Sequence, residues 1–321
     1  MRKAIKSIIL LLFISIFMIG CAPKNATTKE DDSLTIYTSI YPIQYAIERI
    51  AGDTLSVKTV YPPGVDAHSY EPTSKDMTAI AESDAFFYIG SDLEAFAETA
   101  ADALQNQDVS LIEIGKHEEL FQTDSEDNGH NHTDEEHGHD QHDGHNHGDK
   151  DPHIWIDPLR MIKMSEIIKE ELVKLNPEAK EQYNQNFVAL EKDLLTLDEQ
   201  FKRALENKEN KQILVSHAAY GYWEDRYGIE QIAINGISSS SEPSQKELTE
   251  IIDQAKAYGL EYIIFEQNTA NRVSQIIQNE IGVDSLTIHN LAVLTEQDIT
   301  NGEDYISLMQ SNIEILEQAT E

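Results

Sequence analysis

Cysteine is almost missing from this chain of 321 residues, and the single one, Cys21, stands near the amino terminus. That excludes an intramolecular disulfide and any zinc site built on several cysteines. Positive charge is also scarce: 24 Lys and Arg face 58 Asp and Glu, for a formal net charge of −34. Such a chain repels phosphate backbones, so nucleic-acid binding is excluded as a function class and cations are the natural partners. Screening over about 8 Å at physiological salt confines that attraction to short range. The apolar run Ile8 to Ile19 is too short to span a bilayer comfortably as a mature helix. There is no His-Glu-x-x-His helix and no phosphate-binding loop of the kind that marks a hydrolase.

What is present at the amino terminus explains the lone cysteine. Arg2, Lys3 and Lys6 precede the apolar run, the pattern of a secretory signal over residues 1–20. The run ends in Met18-Ile19-Gly20-Cys21, which resembles a bacterial lipobox and implies cleavage before Cys21 and lipidation of its thiol. Residues 21–32 are polar and aperiodic, as suits a flexible tether. The expected location is extracytoplasmic, on a membrane by lipid anchor only, with a Gram-positive surface favoured.

The densest feature lies in the middle. His130, His132, His137, His139, His142, His145 and His147 are seven of the twelve histidines, set among Asp, Glu, Gly and Asn. From Thr123 to Lys150 there is no aliphatic or aromatic side chain, so the segment cannot bury enough apolar surface to offset its ordering entropy. A disordered loop is expected over residues 122–150. Neutral imidazole is a good ligand for Zn²⁺, Cu²⁺ and Ni²⁺, so the tract reads as metal-gathering, with weak, rapidly exchanging sites.

On either side of the tract, short β-rich runs alternate with helical stretches. Leu34–Ser39, Ser56–Tyr61, Ala85–Ile89 and Ser110–Ile114 alternate with Tyr45–Ile50, Ser74–Ala81 and Asp92–Leu104. Gln212–Ser216, Gln231–Ile234, Tyr262–Phe265 and Ser285–Ile288 alternate with helices near Ala219–Tyr227, Ser244–Tyr258, Asn271–Ile281 and Tyr305–Gln318. This predicts an α/β fold with parallel sheets in two similar lobes, over residues 33–176 and 208–321. Between them Asn176-Pro177 separates two helices, and the second, over residues 177–207, carries Tyr183, Phe187, Leu190, Leu194, Leu197, Phe201 and Leu205 at steps of three or four. One apolar stripe on a helix of about thirty residues, ~45 Å long, fits a strut crossing both lobes or a core helix of one. A strut limits hinge closure.

Three isolated histidines stand where strands should end. His68 follows Tyr61-Pro62-Pro63-Gly64, His153 sits in Asp151-Pro152-His153-Ile154-Trp155-Ile156-Asp157-Pro158, and His217 closes Ile213-Leu214-Val215-Ser216. Ligands of open α/β sheets bind beyond the carboxyl ends of strands, so these three can converge in an inter-lobe cleft, and three imidazoles suit zinc. At these motifs, and in the acidic His-rich insertion just before Asp151, the chain resembles the metal-binding lipoproteins of bacterial zinc and manganese ABC importers, in the zinc (ZnuA/AdcA-like) branch. The resemblance runs from about Leu34 to the carboxyl terminus and includes Asp304-Tyr305 and the stretch Leu308 to Asn312.

The resemblance implies two (βα)4 lobes joined by a long linking helix, with one metal held between them by His68, His153 and His217. It implies a solute-binding protein, not an enzyme, that captures Zn²⁺, with weaker Mn²⁺ binding open, and delivers it to an ABC permease driven by an ATPase. A monomer is expected. Many relatives place a carboxylate after the last strand, where this chain has Ala292. A fourth ligand is then water, or Glu71, Glu266 or a histidine of the tract. For His289 a surface or supporting role is expected, and for His117 a solvated one. Two alternatives from other classes are an adhesin lipoprotein of the same fold and a zinc hydrolase, since three histidines with an open position also suit catalytic zinc.

Overall fold

The computed structural model describes residues 33–90, 93–122, 150–268 and 272–320. Residues 1–32 with Cys21, and all seven histidines of the tract, lie outside the described residues. The first sheet is built from β1 (Leu34–Thr38), β2 (Leu55–Thr59), β3 (Ala85–Tyr88) and β4 (Ser110–Glu113), all parallel, in the order β2-β1-β3-β4. The second repeats that order with β5 (Gln212–His217), β6 (Glu230–Asn235), β7 (Tyr262–Glu266) and β8 (Asp284–Ile288), as β6-β5-β7-β8. The two parallel sheets, each with its own crossover helices, are the α/β lobes that the alternation of patterns predicts.

The helices of the first lobe are α1 (Tyr41–Ala51), α2 (Ser74–Ala81), α3 (Ala95–Leu104) and α4 (Pro158–Leu175). Helix α1 begins four residues before its expected start, because Pro42 fits the first turn, where its missing N–H costs nothing. Thr73 and Asp76 form a reciprocal capping box on α2. Asp157 caps α4 by accepting from the N–H groups of Leu159 and Arg160. The second lobe carries α6 (Gly221–Tyr227), α7 (Gln245–Tyr258), α8 (Arg272–Ile281), α9 (Glu296–Asn301) and α10 (Tyr305–Ala319). Ser244 and Glu247 start α7 with a capping box, and Gly259 ends it in the left-handed conformation that glycine adopts without penalty. The short α9 escaped the pattern reading because six residues give too few turns for a periodic signal.

Helix α5 (Lys180–Leu205) has 26 residues, about 39 Å at the standard rise. Its whole predicted stripe, from Tyr183 to Leu205, is buried. It packs on α1 and α4 of the first lobe and on α6 and α10 of the second. Asn186 donates to the Ile50 carbonyl at 2.8 Å on one side, and Asp198 accepts from Tyr227 at 3.1 Å on the other. The helix is therefore a strut, and one continuous apolar cluster runs from Ile36 through Leu194 to Leu316. Residues Leu34 to Glu321 form one compact unit for that reason, although each lobe has its own sheet. Among the described residues no helix is long and apolar enough to cross a membrane.

Candidate metal centre

Strand β2 runs out into Val60 to Tyr70, a loop whose hydrogen bonds fix the position of His68. Gly64 has φ +76, a left-handed turn that suits glycine, and its N–H donates to the Leu294 carbonyl of the second lobe at 2.9 Å. Tyr61 donates its hydroxyl to the Ala67 carbonyl, and Asp66 accepts from the His68 N–H at 2.8 Å. The same device recurs at His153. Asp151, two residues earlier, accepts from the His153 N–H at 3.0 Å and from its Nδ1 at 2.7 Å.

The His153 segment is gripped by the second lobe. Tyr222 donates to the Asp151 carbonyl and Trp223 to the Ile156 carbonyl, each at 2.7 Å. Trp155 donates to the Asn290 carbonyl at 2.8 Å, and Tyr305 to the Trp155 carbonyl. Asn290 sits in a tight turn in which Leu291 has φ +63, an uncommon conformation for a branched residue and a sign of local strain beside the site.

His217 is the last residue of β5, and Glu266 the last of the adjacent β7. Their side chains meet, with His217 Nδ1 donating to Glu266 Oε1 at 2.8 Å. The carboxylate is held by Tyr220 on the same oxygen at 3.2 Å and by Asn290 on the other at 2.9 Å. His217 Nε2 donates to the Ile237 carbonyl at 2.7 Å.

These supports bring three imidazoles together across the lobes. One ring nitrogen from each of His68, His153 and His217 lies within 4.8 Å of the others. The Nε2 atoms of His68 and His153 are 3.3 Å apart. Asp66, Ala67, Leu93, Trp155, Glu266, Asn290 and Ala292 complete the wall of a void of about 10 Å³. That is close to the room one water or one ion needs.

Electrostatics separate the rings. Burial, reinforced by the neighbouring His153 and His217 imidazoles, lowers the His68 pKa to about 4, so its ring is neutral at pH 7 with a lone pair to give. Burial also opposes charge on His217, but Glu266 and the Ile237 carbonyl outweigh it and raise the pKa. For Glu266 burial opposes ionisation, and the His217 and Asn290 partners outweigh it and lower the pKa. Three convergent imidazoles, two of them oriented at Nδ1 by carboxylates, are a donor set for a borderline-soft divalent cation.

The other predicted residues fall elsewhere. Glu71 is exposed and does not join the cluster. Glu266 stands in the wall of the void and bonds His217 Nδ1, where it orients the ring. His289 is not on the surface: it is 7% exposed, bonded to Asp298 at 3.1 Å and to the Leu291 N–H at 2.9 Å, and stands apart from the cluster. His117 is partly exposed beside Glu119. Asp66, Asp151 and Asn290 went unnoticed in the sequence. The signal for the first two is the repeated Asp-x-His of Asp66-Ala67-His68 and Asp151-Pro152-His153.

The family described as zinc-uptake complex component A, periplasmic, matches residues 36–319 of the chain. The chain belongs to this family. Over 316 residues it is 32% identical to the zinc-binding lipoprotein AdcA of Streptococcus pneumoniae, an alignment that covers 98% of this chain and 61% of that protein. The chain thus spans about three fifths of the length of that relative. With the high-affinity zinc uptake system protein ZnuA of Bacillus subtilis it shares 28% identity over 308 residues, 94% of either chain. The Zn(II)-bound ZnuA-like domain of S. pneumoniae AdcA superposes with a TM-score of 0.72 at 30% identity, covering 90% of this chain and 99% of that one. The family fold matches the two lobes described above.

Proposed function

We propose that this chain is the extracytoplasmic solute-binding component of a zinc importer, which captures Zn²⁺ between its lobes on His68, His153 and His217 and delivers it to a membrane permease driven by an ATPase. The observation that carries the reading is the convergence of three buried or half-buried imidazoles from three distant stretches of chain on a void the size of one ion. Family membership and zinc-binding relatives support the cargo assignment. In this reading zinc is cargo and not a cofactor, in keeping with a family of zinc-uptake components. Imidazole ligands favour Zn²⁺ over Mn²⁺, which prefers oxygen.

In the same reading, Cys21 carries the lipid that holds the protein at the outer face of the membrane, and the chain works as a monomer. With Ala292 at the wall and unable to bind metal, the fourth ligand is a water, a carboxylate or a histidine of the tract. The histidine tract gathers zinc beside the cleft in weak sites, raising its local concentration. Titration calorimetry of the purified mature protein tests the core of the proposal. One tight zinc site is expected, lost in His217→Ala and retained when residues 124–149 are removed. Loss of the tight site on that deletion instead would place the principal ligands in the tract.

A further inference from the structure

A nitrogen that is to bind a metal must point its single in-plane lone pair at the ion. His217 Nδ1 is committed to Glu266 at 2.8 Å, which leaves Nε2 for the cargo, yet Nε2 is bonded to the Ile237 carbonyl at 2.7 Å. A carbonyl and a cation cannot share that position. The carbonyl belongs to the loop Gly236 to Ser241, which follows β6 and is stabilised internally: Gly236 N–H donates to the Ser241 carbonyl at 3.2 Å, Ser241 N–H to the Ser238 carbonyl at 2.9 Å, and Asn235 to the Ser239 carbonyl at 3.0 Å.

The loop is also tied across the cleft. Ser239 donates its hydroxyl to Asp66 Oδ2 at 2.7 Å, and the other oxygen of that carboxylate holds the backbone of His68. Asp66 therefore joins the ligand loop of the first lobe to the carbonyl-bearing loop of the second. Asn268, donating to the Val65 carbonyl at 2.8 Å, strengthens the same junction from β7.

We propose that the Ile237 carbonyl is an internal competitor for the metal position of His217, held in place by a clasp between Ser239 and Asp66, so that Zn²⁺ binds only when the Gly236–Ser241 loop lets go. The inference rests on His217 being a ligand. Ser239 and Asp66 are then positioning residues that set affinity without touching the ion. The serine-rich stretch that follows β6 gains a role that its composition did not reveal. Its release on loading also gives the filled and empty protein different surfaces across the mouth of the cleft.

Zinc affinity of the full mature chain, read by competition with a chromophoric chelator, tests this. Ser239→Ala removes the clasp from an exposed loop and should tighten binding roughly three- to tenfold, the equivalent of one hydrogen bond no longer broken. Ser239→Thr keeps the hydroxyl and should match the parent. In the unmodified protein, hydrogen exchange at the Gly236 and Ser241 amides should speed up when zinc is added. Unchanged affinity in Ser239→Ala, or full protection of both amides at saturating zinc, overturns the clasp while leaving the proposed function intact. If His217→Ala binds zinc as tightly as the parent, the clasp and the ligand assignment fall together.

Discussion

The two lobes repeat one sheet order, and each buries a glutamate, but they treat that carboxylate in opposite ways. Glu94 of the first lobe, 1% exposed, accepts from the N–H groups of Ile89 and Gly90 through one oxygen. Its burial outweighs those bonds and its neighbour Ser39, and the pKa rises to about 7. Glu266 of the second lobe, 4% exposed, has His217 at hydrogen-bond distance and its pKa falls. Burial alone favours the neutral acid, and burial beside an imidazole favours the ion pair. The lesson extends to the histidines: among the described residues no carboxylate reaches the ring of His68, whose pKa drops, whereas Glu266 raises that of His217. Burial therefore lowers the pKa of the first-lobe imidazole of His68, and a carboxylate partner raises that of the second-lobe imidazole of His217.

The largest effect is expected from removing His217, the ligand proposed for the second lobe. His217→Ala should weaken zinc binding on the order of a thousandfold in calorimetry, one share of a total binding free energy divided among few ligands. An unaltered titration would remove His217 from the site.

Next comes the orienting carboxylate. Glu266→Gln keeps the shape but loses the charge, and should cost about 10- to 100-fold in zinc affinity. The pH profile should also change. In the parent, a proton on His217 competes with metal, so affinity falls by up to about tenfold per unit as pH drops from about 7 to about 5. Glu266→Gln should shift that fall to lower pH, because the raised pKa of His217 depends on Glu266. A profile that stayed flat across the range in both proteins would argue against imidazole ligation.

A smaller effect tests the first lobe alone. The folded-state pKa of Glu94 lies above its unfolded value near 4.5, so the folded protein holds the proton more strongly. Its stabilising contribution is present below that unfolded value and is lost as pH rises through about 7. Glu94→Gln keeps an acceptor for the Ile89 and Gly90 amides. It should stabilise the protein above pH 7 by on the order of 2 kcal/mol in denaturant unfolding, with zinc affinity at the three histidines largely unchanged. Equal stability at every pH would show that Glu94 ionises without cost.

Much of the fold was legible in the sequence. Among the described residues the strands lie where period and β-branched content put them, within about a residue or two at the ends, and the signal is strongest in the inner strands β3 and β5, whose buried residues leave apolar runs. The stripe from Tyr183 to Leu205 announced a long helix, but its step fits a strut and a core helix alike, and only its contacts with both lobes decide between them. The three histidines were legible as strand-end residues. What supports them was not, because Glu266 lies 49 positions from His217 in the chain and Asn290 is further still, and hydrogen bonds across neighbouring strands leave no periodic trace.

By itself, then, the sequence determined the alternation that makes two parallel lobes, the excess of negative charge, the lone cysteine and the presence of His68, His153 and His217, since these follow from local propensity and residue chemistry. The tertiary structure alone decided which acids matter. It turned Glu71 out to solvent, set Glu266 beside His217, placed Ala292 in the wall of the void, and put the Ile237 carbonyl against His217 Nε2. The physical reason is distance: whether a carboxylate binds an ion, orients a ring or is solvated depends on a few ångströms in space, and chain separation does not encode them.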